Sequence, residues 1–564
     1  MRKLTKPTKK ISEIRPKRGV QTIPDMLEIS AETHKDRIAF LTPRKGELYK
    51  LSYGRVLEYV KRLGRYLKEL GLGKGDHIAI LGENRPEWAI AYFAVTWIGA
   101  IAIPLDARAS SAFYKHVLNF STAKAIILPS SYIPHIHQIQ DEVNALKHII
   151  LMENLEDIYR KYEKGTDKEI VLSDELAEIL FTSGTTGTPR GVMLTHRNIM
   201  SNVEDIYSII ELNPEDRTFS ILPLHHSYEC TAGFLSPFYN GMSIFYARSL
   251  KPNEMIEDLK ISKPTLWLTA PLILEKLYRR IEKELSNQHG LNRFLTKALP
   301  ERILGYRIKQ ALGLERIRLI VCGGAALGSR VSEGLEKLGF PLIQGYGLSE
   351  AAPIVSVNPP AKPKNESVGM IIPSDEVEIR NPDSEGNGEI AVKGPNIMKG
   401  YFKDPESTKE VLTPDGWLLT GDIGYFDEEG YLYITGRKKS VIVTKGGKNV
   451  FPEEIEEKLT QSVYIEEAFV FSPDDENIQA LVYPNLDEVR KKLEHLGKEP
   501  NDDNVWELIK TEVRKANEKL EIYKRIRHFA IVYEELPKTT TRKLRRYELR
   551  NITLSPETRV FRKY

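Results

Sequence analysis

With 564 residues, 41% of them hydrophobic and 28% charged, the chain is long enough to bury two or more separate cores and has the balance of an ordinary globular protein. The formal net charge of +3 is too small to mark a nucleic-acid binder. Two cysteines, Cys230 and Cys322, without a CxxC pair or a His cluster at metal spacing, point to buried free thiols rather than a disulfide or a thiolate metal site.

The charge is unevenly spread. Residues 1–18 carry eight Lys or Arg against Glu13 alone, a net of +7 that leaves −4 for the rest. No apolar core of a secretory signal follows them. The expectation is a flexible basic tail over 1–20, solvated or drawn to anionic lipid. Residues 58–71 then repeat Val60, Leu63 and Leu67 at helical spacing and stop at Gly71. Residues 77–81 and 125–128 read as buried parallel strands. The uncharged run 88–105 approaches the length of a membrane span. However, Pro86-Glu87 starts a helix, Gly99 interrupts it, and 100–103 reads as a strand, so a core helix feeding a core strand accounts for it.

Residues 178–182 form another strand, which enters a Gly/Thr loop. A helix follows, with Ile199, Val203, Ile206 and Ile210 on one face. This alternation predicts an α/β fold, with a large N-terminal domain (21–436) of parallel-rich sheets covered by helices. Strands at 388–392 and 431–434 give way to Gly436-Arg-Lys-Lys-Ser440, read as a hinge over 437–440. Beyond it, 441–564 reads as a small mobile α+β domain with one amphipathic helix presenting Val505, Leu508, Ile509, Val513, Ala516 and Leu520.

The densest chemical signal is Phe181-Thr-Ser-Gly-Thr-Thr-Gly-Thr-Pro-Arg-Gly191. Gly184 and Gly187 let backbone N–H groups approach phosphate oxygens. The hydroxyls of Thr182, Ser183, Thr185, Thr186 and Thr188 can donate to the same oxygens, and Arg190 adds a cation. No G-K-[ST] closes the loop, so it is not a Walker A motif. It resembles the signature loop of the adenylate-forming superfamily, which includes acyl-CoA synthetases, peptide-synthetase adenylation domains and firefly luciferase. Members usually have Lys where Arg190 stands.

The resemblance continues in order from about residue 25 to 550 and implies a role for each further motif. Leu222-Pro-Leu-His-His-Ser-Tyr228 resembles the segment that flanks the carboxylate pocket, through His226. Gly323-Gly-Ala-Ala326 resembles the turn on which adenine packs, with Gly324, Ala325 and Ala326. In Gln344-Gly-Tyr-Gly-Leu-Ser-Glu350, Gln344, Gly345 and Gly347 frame the nucleotide, Tyr346 stacks on adenine, Ser349 meets the α-phosphate and Glu350 holds Mg²⁺. Asp422 and Arg437 resemble a ribose clamp, with Ile434 beside it. Lys439 falls at the hinge. Gly446 and Gly447 resemble the lining of the thiol tunnel, with Lys448 next to it. Pro537-Lys-Thr-Thr-Thr-Arg-Lys543 resembles the loop whose lysine, Lys543, neutralises charge during adenylation. Most members have Gly where Arg542 stands, which leaves Lys538 as the alternative.

The resemblance thus implies an enzyme that uses ATP and Mg²⁺ to form an acyl-AMP and then transfers the acyl group to coenzyme A, by rotation of the small domain. Residues 264–278 and the 505–520 helix resemble long-chain fatty acyl-CoA synthetases, implying a medium- to long-chain fatty acid. An aryl or short-chain acid, and a carrier protein as the thiol, are the alternatives. The implied setting is cytoplasmic, without nucleic acid, with the basic tail as the feature that would meet an anionic inner-membrane surface; homodimerisation stays open.

Overall fold

The computed structural model describes residues 3–182, 189–286, 300–444, 448–475, 477–538, 544–549, 552, 554–555 and 557–561. Helix Tyr53–Glu69 begins where Ser52 accepts a hydrogen bond from the Arg55 amide, and it turns Val56, Tyr59, Val60, Leu63 and Leu67 inward with the 3.6-residue period. It packs on helix Pro86–Trp97, every residue of which is buried. The uncharged run is therefore a core helix that feeds the buried strand Ile101–Leu105. Among the described residues, no helix is long and apolar enough to cross a membrane. Both cysteines are buried and free.

The described strands include a seven-stranded and a thirteen-stranded sheet. In the first, His77–Leu81 runs parallel between Ile101–Leu105 and Ala125–Leu128. Next to them β1 (Leu176–Thr182) pairs antiparallel with β2 (Arg190–Thr195), which places Thr182 opposite Arg190. A second strand thus follows the Gly/Thr segment, where the sequence pattern suggested a helix directly. The helix comes one strand later. Thr195 caps α1 (His196–Ile209) in a capping box with Asn198.

The second sheet changes character halfway. Leu266–Thr269, Leu319–Cys322 and β3 (Leu342–Gly347) are parallel. On its other edge β3 pairs antiparallel with Ile354–Val357, and this half continues through Gly369–Ile371 to the hairpin of β4 (Leu418–Phe426) and β5 (Tyr431–Arg437). This sheet is therefore parallel beside β3 on one side as far as Ile38–Arg44, where Glu47–Ser52 adds an antiparallel edge, and antiparallel on the other.

The N-terminal segment departs from the expected flexible tail. Leu4 exchanges two backbone hydrogen bonds with Phe426, the Ile379 amide donates to the Thr5 carbonyl, and Ile11 is buried. Several of the cations that suggested a solvated arm are engaged by the body: Arg15 with carbonyls at the end of α1, Lys17 with Asp205, and Arg18 Nη1 with the Tyr239 carbonyl. Buried acceptors outcompete water for these donors because each would otherwise be left unpaired.

Beyond β5 a separate core forms around Val450, Ile455, Val470, Val482, Ile509 and Ile531. It packs a three-stranded sheet under helix Asp502–Glu518, which buries Val505, Ile509, Val513 and Ala516. Polar contacts join it to the larger unit, among them Arg279 Nη1 to Glu466 Oε1 at 2.5 Å and Asn449 Nδ2 to Asp383 Oδ2 at 3.1 Å.

Candidate active site

The end of β3 and the β4–β5 hairpin meet through Tyr346, Asp422 and Arg437. Asp422 and Arg437 face each other across that hairpin, and Arg437 Nε lies 3.1 Å from Asp422 Oδ1. Tyr346 donates its hydroxyl to Asp422 Oδ2 at 2.7 Å. Burial and the neighbouring carboxylate hold that phenol well above its ordinary pKa, so it acts as a neutral donor. Each carboxylate oxygen keeps a second lone pair for an incoming hydroxyl. The Asp422 amide is fixed by Thr420 Oγ1 at 3.1 Å, which in turn donates to the Ile390 carbonyl at 2.8 Å. Ile434 and Tyr346 both lie half-buried against the main core, leaving part of the tyrosine ring open.

Gln344 is buried, accepts from the Leu327 amide at 3.4 Å and donates to the Asn365 carbonyl, so it ties the glycine turn to β3. In that turn Gly324, Ala325 and Ala326 are exposed, and Gly324, at φ +87°, faces open space. Gly345 pairs with Val357 in the β3 ladder. A Cβ at Gly347 would lie 2.0 Å from the Pro353 carbonyl, so only glycine fits. Gly347→Val is expected to displace the segment carrying Ser349 and Glu350, to lower ATP-dependent pyrophosphate release about 100-fold, and to cost about 1–3 kcal/mol of stability by overpacking. Pyrophosphate assays and thermal melts on one preparation check this.

Glu350 is half-buried. Its Oε1 accepts from the Tyr401 hydroxyl at 2.9 Å, and its carbonyl accepts from the Met398 amide at 2.9 Å. The Arg190 guanidinium lies over the Tyr401 ring, 5.3 Å from its centre, which links β2 to Glu350. Ser349 Oγ accepts from Ser227 Oγ at 3.4 Å, so the His-His segment touches the same motif. The rings of His225 and His226 are 4.4 Å apart. Burial, then His226 and Arg108, hold His225 well below its ordinary pKa, so it is neutral.

Thr182 and Arg190 close the mouth of the β1–β2 hairpin. Ser183, Gly184, Thr185, Thr186, Gly187 and Thr188 lie outside the described residues, as do Gly446, Gly447 and Lys543. Lys439 is exposed in the turn Lys438–Ser440, and Lys448 is exposed where its amide meets Thr444 Oγ1. Both follow Arg437, outside the clamp of Tyr346, Asp422 and Arg437. Lys538 is ion-paired with Glu467. Among the described residues no three His, Cys, Asp or Glu side chains converge as a metal site. A lone half-exposed carboxylate such as Glu350 suits Mg²⁺ when phosphates and water supply the other ligands.

The sequence reading missed Thr420 and Tyr401. Thr420 had a signal in standing two residues before Asp422, but Tyr401 reaches Glu350 across 51 residues and had none.

The AMP-binding enzyme family model matches residues 27–402, and the AMP-binding enzyme C-terminal domain matches 439–551. Fatty acyl-CoA synthetase A of Dictyostelium discoideum is 30% identical over 79% of this chain and 75% of its own length. A chloroplastic long-chain-fatty-acid–[acyl-carrier-protein] ligase of Arabidopsis thaliana is 25% identical over 88% of this chain and 80% of its own. Among solved structures, the anthranilate CoA ligase AuaEII in complex with anthranoyl-AMP shares the fold, with a TM-score of 0.77 at 23% identity over 94% of this chain and 96% of that one. The ordered motifs and a family match over two thirds of the sequence agree: the chain belongs to the AMP-binding enzyme family, the adenylate-forming ligases.

Proposed function

We propose that the chain is an acyl-CoA synthetase that activates a medium- to long-chain fatty acid with ATP and passes it to coenzyme A. The observation that carries this reading is the convergence of Tyr346, Asp422 and Arg437, with the half-exposed Glu350 on the segment that follows β3. Such a cluster offers an aromatic face for a base, a carboxylate for ribose hydroxyls and a cation at its edge. Thr182, Arg190 and the loop between them supply donors for phosphates. Glu350 would hold Mg²⁺, which supplies charge neutralisation at the phosphates when bound.

The carboxylate oxygen of the acid attacks the α-phosphorus, and the bond to pyrophosphate breaks. His226 flanks the acid, and Lys543 offsets repulsion between the two anions. The small domain then turns about 437–440, and the thiol attacks the acyl carbonyl as AMP leaves. Fatty acid as the substrate class is supported by the relative named a fatty acyl-CoA synthetase. The carrier-protein ligase among the relatives keeps a second reading in view, in which the thiol belongs to acyl carrier protein.

The test is pyrophosphate release over acids of graded chain length, with coenzyme A, acyl carrier protein or neither. The expected result is release that peaks with medium to long chains and thioester formed on coenzyme A. Thioester only on the carrier protein would favour the second reading, and ADP as product would overturn both. Gly446→Leu is expected to keep acyl-AMP formation within a few-fold while lowering acyl-CoA yield at least about tenfold, because a bulky side chain would fill the thiol's approach. Normal acyl-CoA yield would remove Gly446 from that path.

A further inference from the structure

Asn84 lies just beyond strand His77–Leu81 of the seven-stranded sheet, yet its side chain reaches the thirteen-stranded one. Its Nδ2 donates to the Leu222 carbonyl at 2.6 Å and to Ser220 Oγ at 2.9 Å, while its Oδ1 accepts from the Leu224 amide at 3.0 Å. The amide group thus holds the Leu222 carbonyl and the Leu224 amide at the start of the His-His segment. Ser220 is fully buried at the end of strand Arg217–Ser220 and donates its hydroxyl to Glu229 Oε1 at 2.6 Å. Glu229 is buried at the other end of the segment, and Gly233 makes room for it, since a Cβ there would lie 2.6 Å from its carboxyl. Between these two anchors the backbone of His226 is held twice, its amide on the Pro223 carbonyl at 3.0 Å and its carbonyl by the Cys230 amide at 2.9 Å.

We propose that Asn84, acting with Ser220 and Glu229, is a positioning residue for the carboxylic-acid substrate: it sets the segment that presents His226, across the seam between the two sheets. This rests on the reading of His226 as a flank of the acid pocket. The clamp of Tyr346, Asp422 and Arg437, which would hold base and ribose, shares no hydrogen bond with Asn84, and the His-His segment meets the nucleotide motif through the long 3.4 Å bond from Ser227 to Ser349. A loosened His-His segment therefore weakens productive acid binding more than nucleotide binding.

The experiment compares full-length Asn84→Ala, Asn84→Asp, His226→Ala and the double variant Asn84→Ala/His226→Ala. It measures melting temperature, AMP affinity by calorimetry, and KM for acid and for ATP in pyrophosphate release. The expected result for Asn84→Ala is KM for acid raised about tenfold, with KM for ATP and AMP affinity within about twofold. Asn84→Asp has the same shape but replaces two donated hydrogen bonds by a carboxylate facing two acceptors, so it should do no better than alanine, whereas a space-filling role would make it nearly silent. The double variant should be no worse than the more affected single one, because both residues act through one element. Parallel rises in both KM values, full activity in Asn84→Asp, or additive losses would each overturn the proposal. Absence of acid-dependent pyrophosphate release in the unsubstituted protein would instead overturn the function reading, and the positioning role with it. Were Asn84→Ala not to fold, Ser220→Ala is the second variant, and it must show the same selective rise in KM for acid.

Discussion

Lys543→Ala is expected to lower pyrophosphate release from acid plus ATP by roughly 10²–10³-fold, while thioester formation from supplied acyl-AMP stays within a few-fold. The first half-reaction brings a carboxylate against a phosphate, two anions whose approach costs several kcal/mol unless a cation stands at the meeting point. The second half-reaction has no such meeting of anions, because the acyl-AMP is already formed and a neutral carbonyl is attacked. A lysine used only in the first step therefore leaves a selective defect, which a general loss of folding cannot imitate. The nearby alternative, Lys538, is already committed to Glu467 on the neighbouring strand. Lys538→Ala should thus reduce stability modestly and affect both half-reactions alike. Equal losses in both steps for Lys543→Ala would refute its assignment, and a selective loss for Lys538→Ala would move the role there.

Short-range pattern made much of the fold legible. The helical period of 58–71, the apolar runs at 77–81 and 125–128, and the inward face of the 505–520 helix all follow from side chains that must be buried on one side. Strand β2 escaped because its six residues, Arg190–Thr195, sit between a glycine-rich loop and a strong helix start, and their pairing partner lies across the loop. The site was legible as a series of motifs rather than as geometry. Tyr346 and Asp422 are 76 residues apart, and nothing local to either predicts that one donates to the other. The same holds for Asn84, whose bonds to Ser220 and Leu222 span 136 and 138 residues and cross between sheets. Charge was the most misleading guide. A basic terminus reads as solvated because water is the default partner of a lysine, and only tertiary structure could reveal that buried carbonyls and carboxylates were waiting for it.

Removing residues 1–18 is accordingly expected to lower the melting temperature by about 5–10 °C. Arg15 is the largest contributor. Its guanidinium donates to the carbonyls of Tyr207, Ile210 and Leu212 and to Asn240 Oδ1 at 2.7 Å, so it caps the negative end of α1, where unpaired carbonyls concentrate. Hydrogen bonds from a charged donor of this kind are worth about 1.5–3 kcal/mol. Lys17 adds a 2.5 Å pair with Asp205, whose side chain is only 1% exposed, and a 2.6 Å bond to Ser374. Losing it leaves a buried carboxylate without its cation, about 2–3 kcal/mol after discounting for the partly exposed Lys17. The loss carries a pH signature. Burial raises the Asp205 carboxyl above its ordinary value even with Lys17 present, and Asp375, also buried, lies close enough to repel it. The folded protein therefore holds this proton at a pH where the unfolded chain has released it. Stability from the group is full in acid and falls as pH rises through the raised value. Lys17→Met deepens that fall, so its deficit should be clear at neutral pH and shrink toward the ordinary carboxylate range. Melting curves of the intact, truncated and Lys17→Met chains from mildly acidic to neutral pH check both statements. An unchanged melting temperature on truncation would mean that the segment only rests on the surface, and a pH-independent deficit for Lys17→Met would separate it from Asp205.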